Sequence, residues 1–310
     1  MKFSQIRDVT TVAERGSIRA AARQLGLAQP ALSRSIRELE HELGVTLFER
    51  RSRGVVLTPL GELFVRRAFA AMNELRQARD EIDQHRGVSR GVVSAGLSTV
   101  SHLALLPGAI GAFRDRYPDV LLKITEGLFT TLEESLKRGA LDFYVGPLAE
   151  TPPAREFIVE CLFENTRRIF CRKGHPLAGA KSLAELADAV WISTSVTMVQ
   201  EAELVPLFEK HGLPAPKIAM HAPSALTMVI SAANSDLLMM LPEQWLGAAI
   251  SREMLSCIEV RERLPAAPIC LVRPARLPLT PAAEYCADLI RRAAAQVVAA
   301  RGQPVKAREP

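Results

Sequence analysis

Apolar residues at Phe3, Ile6, Val9, Val12 and Ala13 recur at helical spacing, so the chain opens on an amphipathic helix that stops at Gly16. Ser17 stands where an N-cap belongs, and Ile18, Ala21, Ala22 and Leu25 form a second short stripe closed by Gly26. Pro30 suits the first turn of a third helix, because the N–H it lacks has no intrahelical partner there. Leu32, Ile36, Leu39 and Leu43 carry that helix to Gly44. Two apolar runs, Leu47-Phe48 and Val55-Val56-Leu57, then bracket Glu49-Arg50-Arg51-Ser52-Arg53-Gly54, which predicts a hairpin with a basic tip. From Pro59 to Arg86 a breaker-free helix carries Leu60, Phe64, Ala68, Ala71, Leu75, Ala78 and Ile82 at steps of three and four. So narrow and alanine-rich a seam needs a close partner, either a second copy of the helix or the rest of its own chain.

Gly87-Val88-Ser89-Arg90-Gly91 reads as a hinge, and the pattern changes beyond it. Strand candidates at 92–97, 121–126 and 141–146 alternate with helices at 103–116 and 131–137. This βαβαβ order predicts a parallel sheet covered on both faces. The alternation resumes through 168–171, 190–193, 204–211, 217–221, 225–233 and 237–241, with a late strand at 265–273 and a final helix at 282–300.

A chain of 310 residues, 48% apolar and 24% charged, has soluble globular composition and material for two or three cores, which excludes a disordered or fibrous protein. Residues 1–90 hold 16 basic and 11 acidic side chains, while residues 91–310 hold 23 of each. The whole net charge of +5 therefore belongs to the N-terminal segment, as expected of a module that meets a polyanion while a neutral body does another job. No apolar run is long enough to span a bilayer, and Arg7, Asp8, Glu14 and Arg15 interrupt any signal-peptide core, so the expectation is a cytoplasmic protein without a membrane partner. The five cysteines, Cys161, Cys171, Cys257, Cys270 and Cys286, lack metal-knuckle or dithiol spacing and read as reduced, mostly buried residues; a Cys161–Cys171 redox switch is the alternative. No nucleophile elbow, phosphate-binding glycine loop or His-carboxylate metal cluster is present, so neither an enzyme nor a metal or organic cofactor is expected.

The helix–turn–helix presents Gln29, Ser33, Arg34 and Arg37 on the polar side of its second member. Gln pairs bidentately with adenine, Arg with the O6/N7 edge of guanine, and Ser with a base or phosphate. Arg50, Arg51 and Arg53 at the hairpin tip suit phosphates or the minor groove, adding salt-sensitive affinity. A plain solvated helix face is the competing reading of the helix alone.

The ordered run Gly16-Ser17-Ile18-Arg19-Ala20-Ala21-Ala22-Arg23-Gln24-Leu25, Gln29-Pro30-Ala31-Leu32-Ser33, Ile36, Leu39-Glu40, Leu43-Gly44, Leu47-Phe48-Glu49-Arg50 and Leu57-Thr58-Pro59-Leu60-Gly61 strongly resembles the LysR-type transcriptional regulators. The resemblance adds Ser17 and Pro30 to the expected DNA-binding residues. It departs at Ala28, where the family usually has Ser; the missing cap hydroxyl costs the recognition helix on the order of 1 kcal/mol. It implies an α+β multidomain chain: a winged helix-turn-helix over 1–58, a linker or dimerisation helix and hinge over 59–90, and an effector-binding α/β domain over 91–310. That last domain would have the type 2 periplasmic-binding-protein fold, with subdomain I formed by 91–160 and 268–310 and subdomain II by 161–267. Implied partners are double-stranded promoter DNA, a small organic effector, a second copy through the linker helices with a tetramer beyond it, and RNA polymerase.

In open α/β sheets ligands sit beyond the carboxyl ends of the strands. Ser98, Thr99 and Ser101 follow the first strand, Thr130 the second, Gly146 the third, and Thr194 and Ser195 occupy the matching place in the second half. Hydroxyls and unpaired N–H groups at helix starts hold a carboxylate or sulfonate without a full countercharge, which points to an anionic effector; simple helix capping by Ser98 and Ser101 is compatible with that. Family members place effector contacts at corresponding positions. Met198, Met228, Met239 and Met240 read as core rather than cleft lining.

Overall fold

The computed structural model describes residues 1–52, 54–148, 156–193, 204–222, 224–275 and 278–301. Helices α1 (Phe3–Arg15), α2 (Ile18–Leu25) and α3 (Gln29–Leu43) pack around Val9, Val12, Ala21, Leu32, Ile36 and Leu39. A two-stranded antiparallel hairpin, β1 (Phe48–Arg51) and β2 (Gly54–Leu57), closes the module, and the long α4 (Pro59–His85) leaves from it. The hairpin tip is smaller than the sequence suggests. Arg50 and Arg51 pair with Val55 and Gly54 as part of β1, Arg51 as its last residue, which leaves only two residues at the tip. Arg53 lies outside the described residues.

Two close approaches lock this module. A Cβ on Gly61 would lie 2.0 Å from the Leu47 carbonyl oxygen, so only glycine lets α4 cross the hairpin there. Gly54, at φ 143°, brings β2 against the first turn, where the Val55 N–H donates to the Gly16 carbonyl at 2.9 Å. Thr58 supplies the N-cap of α4, accepting from the Gly61 N–H at 2.9 Å while its own hydroxyl donates to the Thr46 carbonyl at 2.7 Å.

The body follows as β3 (Gly91–Leu97), α5 (Thr99–Ala104), α6 (Leu106–Arg116), β4 (Val120–Glu126), α7 (Phe129–Lys137), β5 (Phe143–Pro147) and β6 (Phe157–Arg172). Then come β7 (Val190–Ser193), α8 (Leu204–Lys210), β8 (Lys217–His221), α9 (Ala225–Ala233), β9 (Leu237–Pro242), α10 (Ala249–Met254), β10 (Leu255–Ile258), β11 (Pro265–Pro274) and α11 (Pro281–Arg301). The helix expected over 103–116 is broken at Leu105, where Pro107 starts α6 afresh. Neither α10 nor β10 is visible in the sequence pattern.

Strand order is β4-β3-β5-β11-β6-β9-β7-β8, with β10 on the other side of β6. The parallel sheet expected from the βαβαβ order is found over its three strands. β3 pairs in parallel with β4 and β5, but β11 runs antiparallel to β5 and β6, because the chain returns from the second half directly through β11. The 16-residue β6 serves both halves: its beginning pairs with β11, its end with β9 and β10. The crossing from one half to the other therefore runs inside a continuous strand, near Asn165 and Thr166, opposite Ala266 and Pro265. Phe113, Phe143, Val145, Ile269 and Leu271 fill the core under α6 and α11, while Leu132, Leu136, Tyr144 and Val272 fill the core under α7. Met228, Met239 and Met240 are buried, and Met198 lies outside the described residues.

Candidate functional site

Asp8, buried on α1, accepts from the Ser35 hydroxyl of α3 at 2.7 Å and from Arg7 at 3.0 Å, which fixes the roll of α3. At the other end of α3, Glu40 accepts from the N–H groups of Leu47 and Phe48 at 2.7 and 3.2 Å, pinning the hairpin to the helix. With Leu32, Ile36 and Leu39 facing the core, Gln29, Pro30, Arg34 and Arg37 stand exposed on the opposite side and Ser33 is half-buried beside them. Arg34 pairs with Glu38 one turn on at 2.9 Å, and Arg37 donates to the Ser33 carbonyl at 3.3 Å. Both contacts are local and exposed, so a phosphate or base edge can replace them at little cost. Ser17 is half-buried and accepts from the Ala20 N–H at 3.4 Å as the N-cap of α2. Ala28 begins α3 in extended conformation with no side-chain cap. Arg50 and Arg51 are exposed, Arg51 paired with Glu49 at 2.7 Å.

The linker helix has two different faces. Its beginning packs Phe64, Val65 and Phe69 into the winged-helix core, but farther along Ala71, Leu75, Ala78 and Ile82 are all exposed on one open side. The other face is polar and docks on the body. Asn73 donates to the Arg138 carbonyl at 2.8 Å, Gln77 to Asp142 at 2.6 Å, and Gln84 accepts from the Ala282 N–H at 2.9 Å. Asp142 was missed by sequence reasoning. Its 3% exposed carboxylate also accepts from the Ser94 N–H at 2.7 Å, and burial pushes its pKa up despite that hydrogen bond and the nearby Arg76. A signal for the docking face was present, since Asn73, Gln77, Asp80 and Gln84 recur at helical spacing opposite the apolar seam.

At the ends of β3 and β5 the structure gathers Ser98, Ser101 and Gly146. Ser98 N-caps α5, its N–H donates to the Val145 carbonyl at 2.9 Å, and the Ser101 hydroxyl donates to the same carbonyl at 2.7 Å. Both serines are buried and their hydroxyls lie 3.2 Å apart, so these groups are engaged in the fold. A Cβ on Gly146 would lie 2.7 Å from that of Ser98, so glycine is what lets the two strand ends meet. Thr99 is half-buried with its hydroxyl donating to Glu126 at 3.2 Å, and Thr130 is exposed in the first turn of α7. Leu103, at the far end of α5, packs against the core of the second half around Met228 and Trp245, so these strand ends face that half. Thr194 and Ser195 lie outside the described residues. An open pocket of about 420 Å³ lies elsewhere, lined by Arg168, Lys181, Leu246, Cys257 and Arg261, with none of the residues expected from sequence.

Among the described residues no helix is long and apolar enough to cross a membrane, and no cluster of His, Cys, Asp and Glu could hold a metal ion.

Residues 3–62 match the family model of the bacterial regulatory helix-turn-helix proteins of the lysR family, and residues 86–295 match that of the LysR substrate binding domain. The HTH-type transcriptional regulator TdcA of Escherichia coli is 28% identical over 252 residues, covering 81% of this chain and 80% of its own. The HTH-type transcriptional regulator YybE of Bacillus subtilis is 32% identical over 229 residues, covering 73% and 77%. Full-length CbnR in complex with its target DNA shares the fold at a TM-score of 0.68 and 20% identity, over 94% of this chain and 100% of that one. The chain belongs to the LysR family of DNA-binding transcriptional regulators, with an effector-binding domain behind its helix-turn-helix.

Proposed function

We propose that this regulator reads promoter DNA through Gln29, Ser33, Arg34 and Arg37 of α3. Ser17, Pro30 and the arginines at 50, 51 and 53 would position it on the backbone. The carrying observation is the division of labour on α3: one side is entirely core, while the exposed side bears long polar groups that the fold uses only for local contacts. The working unit is a homodimer formed through the linker helices, with a tetramer as a pair of dimers. Its support is the open stripe of Ala71, Leu75, Ala78 and Ile82, whose width suits a helix and whose other face is already occupied. Residues 1–58, 59–90 and 91–310 divide the roles of reading, joining and sensing.

The effector is a small organic anion held at the ends of β3, β4 and β5, with Thr99 and Thr130 offering hydroxyls and Ser98, Ser101 and Gly146 shaping the floor. Thr194 and Ser195 would complete the site from the second half. Binding there changes how the halves stand about the β6–β11 crossing, and through α4 the spacing or bending of the DNA. Electrophoretic mobility shifts on the chain's own promoter test the DNA half: the Arg34→Ala, Arg37→Ala double variant should lose sequence preference, and full retention overturns the assignment. A thermal-shift comparison of organic acids with their amides tests the effector half. An acid at 100 times its dissociation constant should stabilise by about 2.7 kcal/mol, and a preference for the neutral amides overturns the anionic reading.

A further inference from the structure

Away from the DNA-reading face and the strand ends, the sheet sets two cysteines against each other. Cys161 on β6 is the direct antiparallel partner of Cys270 on β11. Flanking hydrogen bonds fix which kind of pair this is. The Ala275 N–H donates to the Glu156 carbonyl at 2.8 Å, so in this register Leu271 and Arg273, and not Cys270, turn their backbone groups toward β6. On the opposite edge of β11 the Leu148 N–H donates to the Pro268 carbonyl at 3.1 Å, which aims the backbone groups of Cys270 at Gly146 of β5. Cys161 and Cys270 are therefore a non-hydrogen-bonded pair, the last before the register shift between Cys270 and Ile269, and of the narrower kind, whose Cα atoms typically lie about 4.5 Å apart. Disulfides bridge Cα separations of roughly 4.4–6.8 Å. Phe157, Cys270 and Val272 belong to the core under α7, and strand alternation puts Cys161 on the face that Phe157 occupies. Both thiols leave the same side of the sheet, one exposed and one buried.

We propose that Cys161 and Cys270 form a redox-sensitive thiol pair that closes into a disulfide by exchange with a small disulfide of the glutathione class. The Cys161 thiolate attacks one sulfur of that disulfide; its S–S bond breaks, one thiolate leaves and takes up a proton, and a mixed disulfide remains on Cys161. The Cys270 sulfur, deprotonated in the step, attacks the Cys161 sulfur and expels the second small thiolate, which takes up the proton. Two protein thiols are oxidised and one small disulfide is reduced to two thiols. The remaining cysteines do not compete. Cys171 is the cross-strand partner of Ser256, so Cys257, one residue on, points to the opposite face. Burial pushes Cys171 up to about 11 and Cys286 up to about 12. The link would join the two strands that carry the chain between the halves, four residues from the crossing at Asn165 and Ala266.

The test is incubation of the full-length protein with oxidised glutathione, alkylation of remaining thiols, and non-reducing peptide mapping. The expected result is a Cys161–Cys270 linked peptide, loss of two of the five thiols, and recovery of both with dithiothreitol. Cys161→Ser and Cys270→Ala should each abolish the link, and the exposed Cys161 makes the first change benign to folding. Glutathione retained on Cys161 without a linked peptide would overturn the proposal. So would a linked peptide forming equally fast in the urea-unfolded chain, since the native register would then play no part.

Discussion

The Gln77 amide of the linker helix donates to Oδ1 of Asp142 at 2.6 Å, while Oδ2 of the same carboxylate accepts from the Ser94 N–H at 2.7 Å. One buried acid thus ties the helix that carries the DNA-reading module to the first strand of the effector-binding body. The approach is close: a Cβ on Gly139, at φ 67°, would already touch Asn73 at 3.3 Å.

That acid should give the protein a distinctive pH response. Desolvation raises the Asp142 pKa above its ordinary 3.8, with Asp80 adding to the rise, against the lowering effects of the Ser94 N–H, Arg76 and Gln77. The folded state then holds this proton more tightly than the unfolded chain, so the group's contribution is largest below 3.8 and declines as pH rises through the elevated pKa. Asp142→Asn should flatten the stability profile above about pH 4 and leave stability at pH 7 within about 1 kcal/mol, whereas Asp142→Ala should lose about 1–3 kcal/mol by orphaning the Ser94 N–H. Urea unfolding across that pH range measures both.

Ala28→Ser restores a cap hydroxyl at a position already in extended N-cap geometry. It should stabilise the DNA-reading module by about 1 kcal/mol and tighten binding without changing sequence preference. Chemical denaturation and fluorescence anisotropy on specific and scrambled duplexes separate these effects; a change in preference would show that position 28 reads bases.

Arg37 and Arg50 should fail differently. Arg37→Ala should cost about 1–3 kcal/mol on the cognate site and little on random DNA. Arg50→Ala should weaken both alike and lower the slope of log affinity against log salt by about 0.9 for each phosphate that the side chain no longer neutralises. Binding titrations at several salt concentrations distinguish the two roles.

Ile82→Asp places a charge on the exposed seam, 59% exposed in the single chain. Sedimentation should show dissociation of the oligomer while the fold survives, because Ile82 contributes to none of the described cores. An unchanged sedimentation coefficient would move the interface elsewhere.

The sequence foretold most where local chemistry decides. Gly16, Ser17, Gly26 and Pro30 mark their own helix ends, and each marks it in the structure. It said less where tertiary pairing decides, picking out only 168–171 of β6. The 16 residues of β6 mix apolar and charged side chains because its two ends belong to different cores, so neither strand alternation nor a continuous apolar run stands out. Arg50 and Arg51 look like tip residues by charge, yet their register with Val55 and Gly54 makes them strand. Ser98 and Ser101 look like ligand hydroxyls by position, and only the Val145 carbonyl between the strand ends shows how they are used in the fold.

The docking of α4 on the body also sets a mechanical ratio. At 27 residues the helix is about 40 Å long. Held near one end through Gln77 and Gln84, it turns as a lever with the body. From Gln77 back to Pro59 the free arm is about 27 Å, so a tilt of about 5° at the body would sweep its far end through roughly 2.4 Å, the better part of the rise of one base pair. On the proposed reading, a small tilt of the body would therefore reach the duplex as a displacement on the scale of its own base-pair spacing.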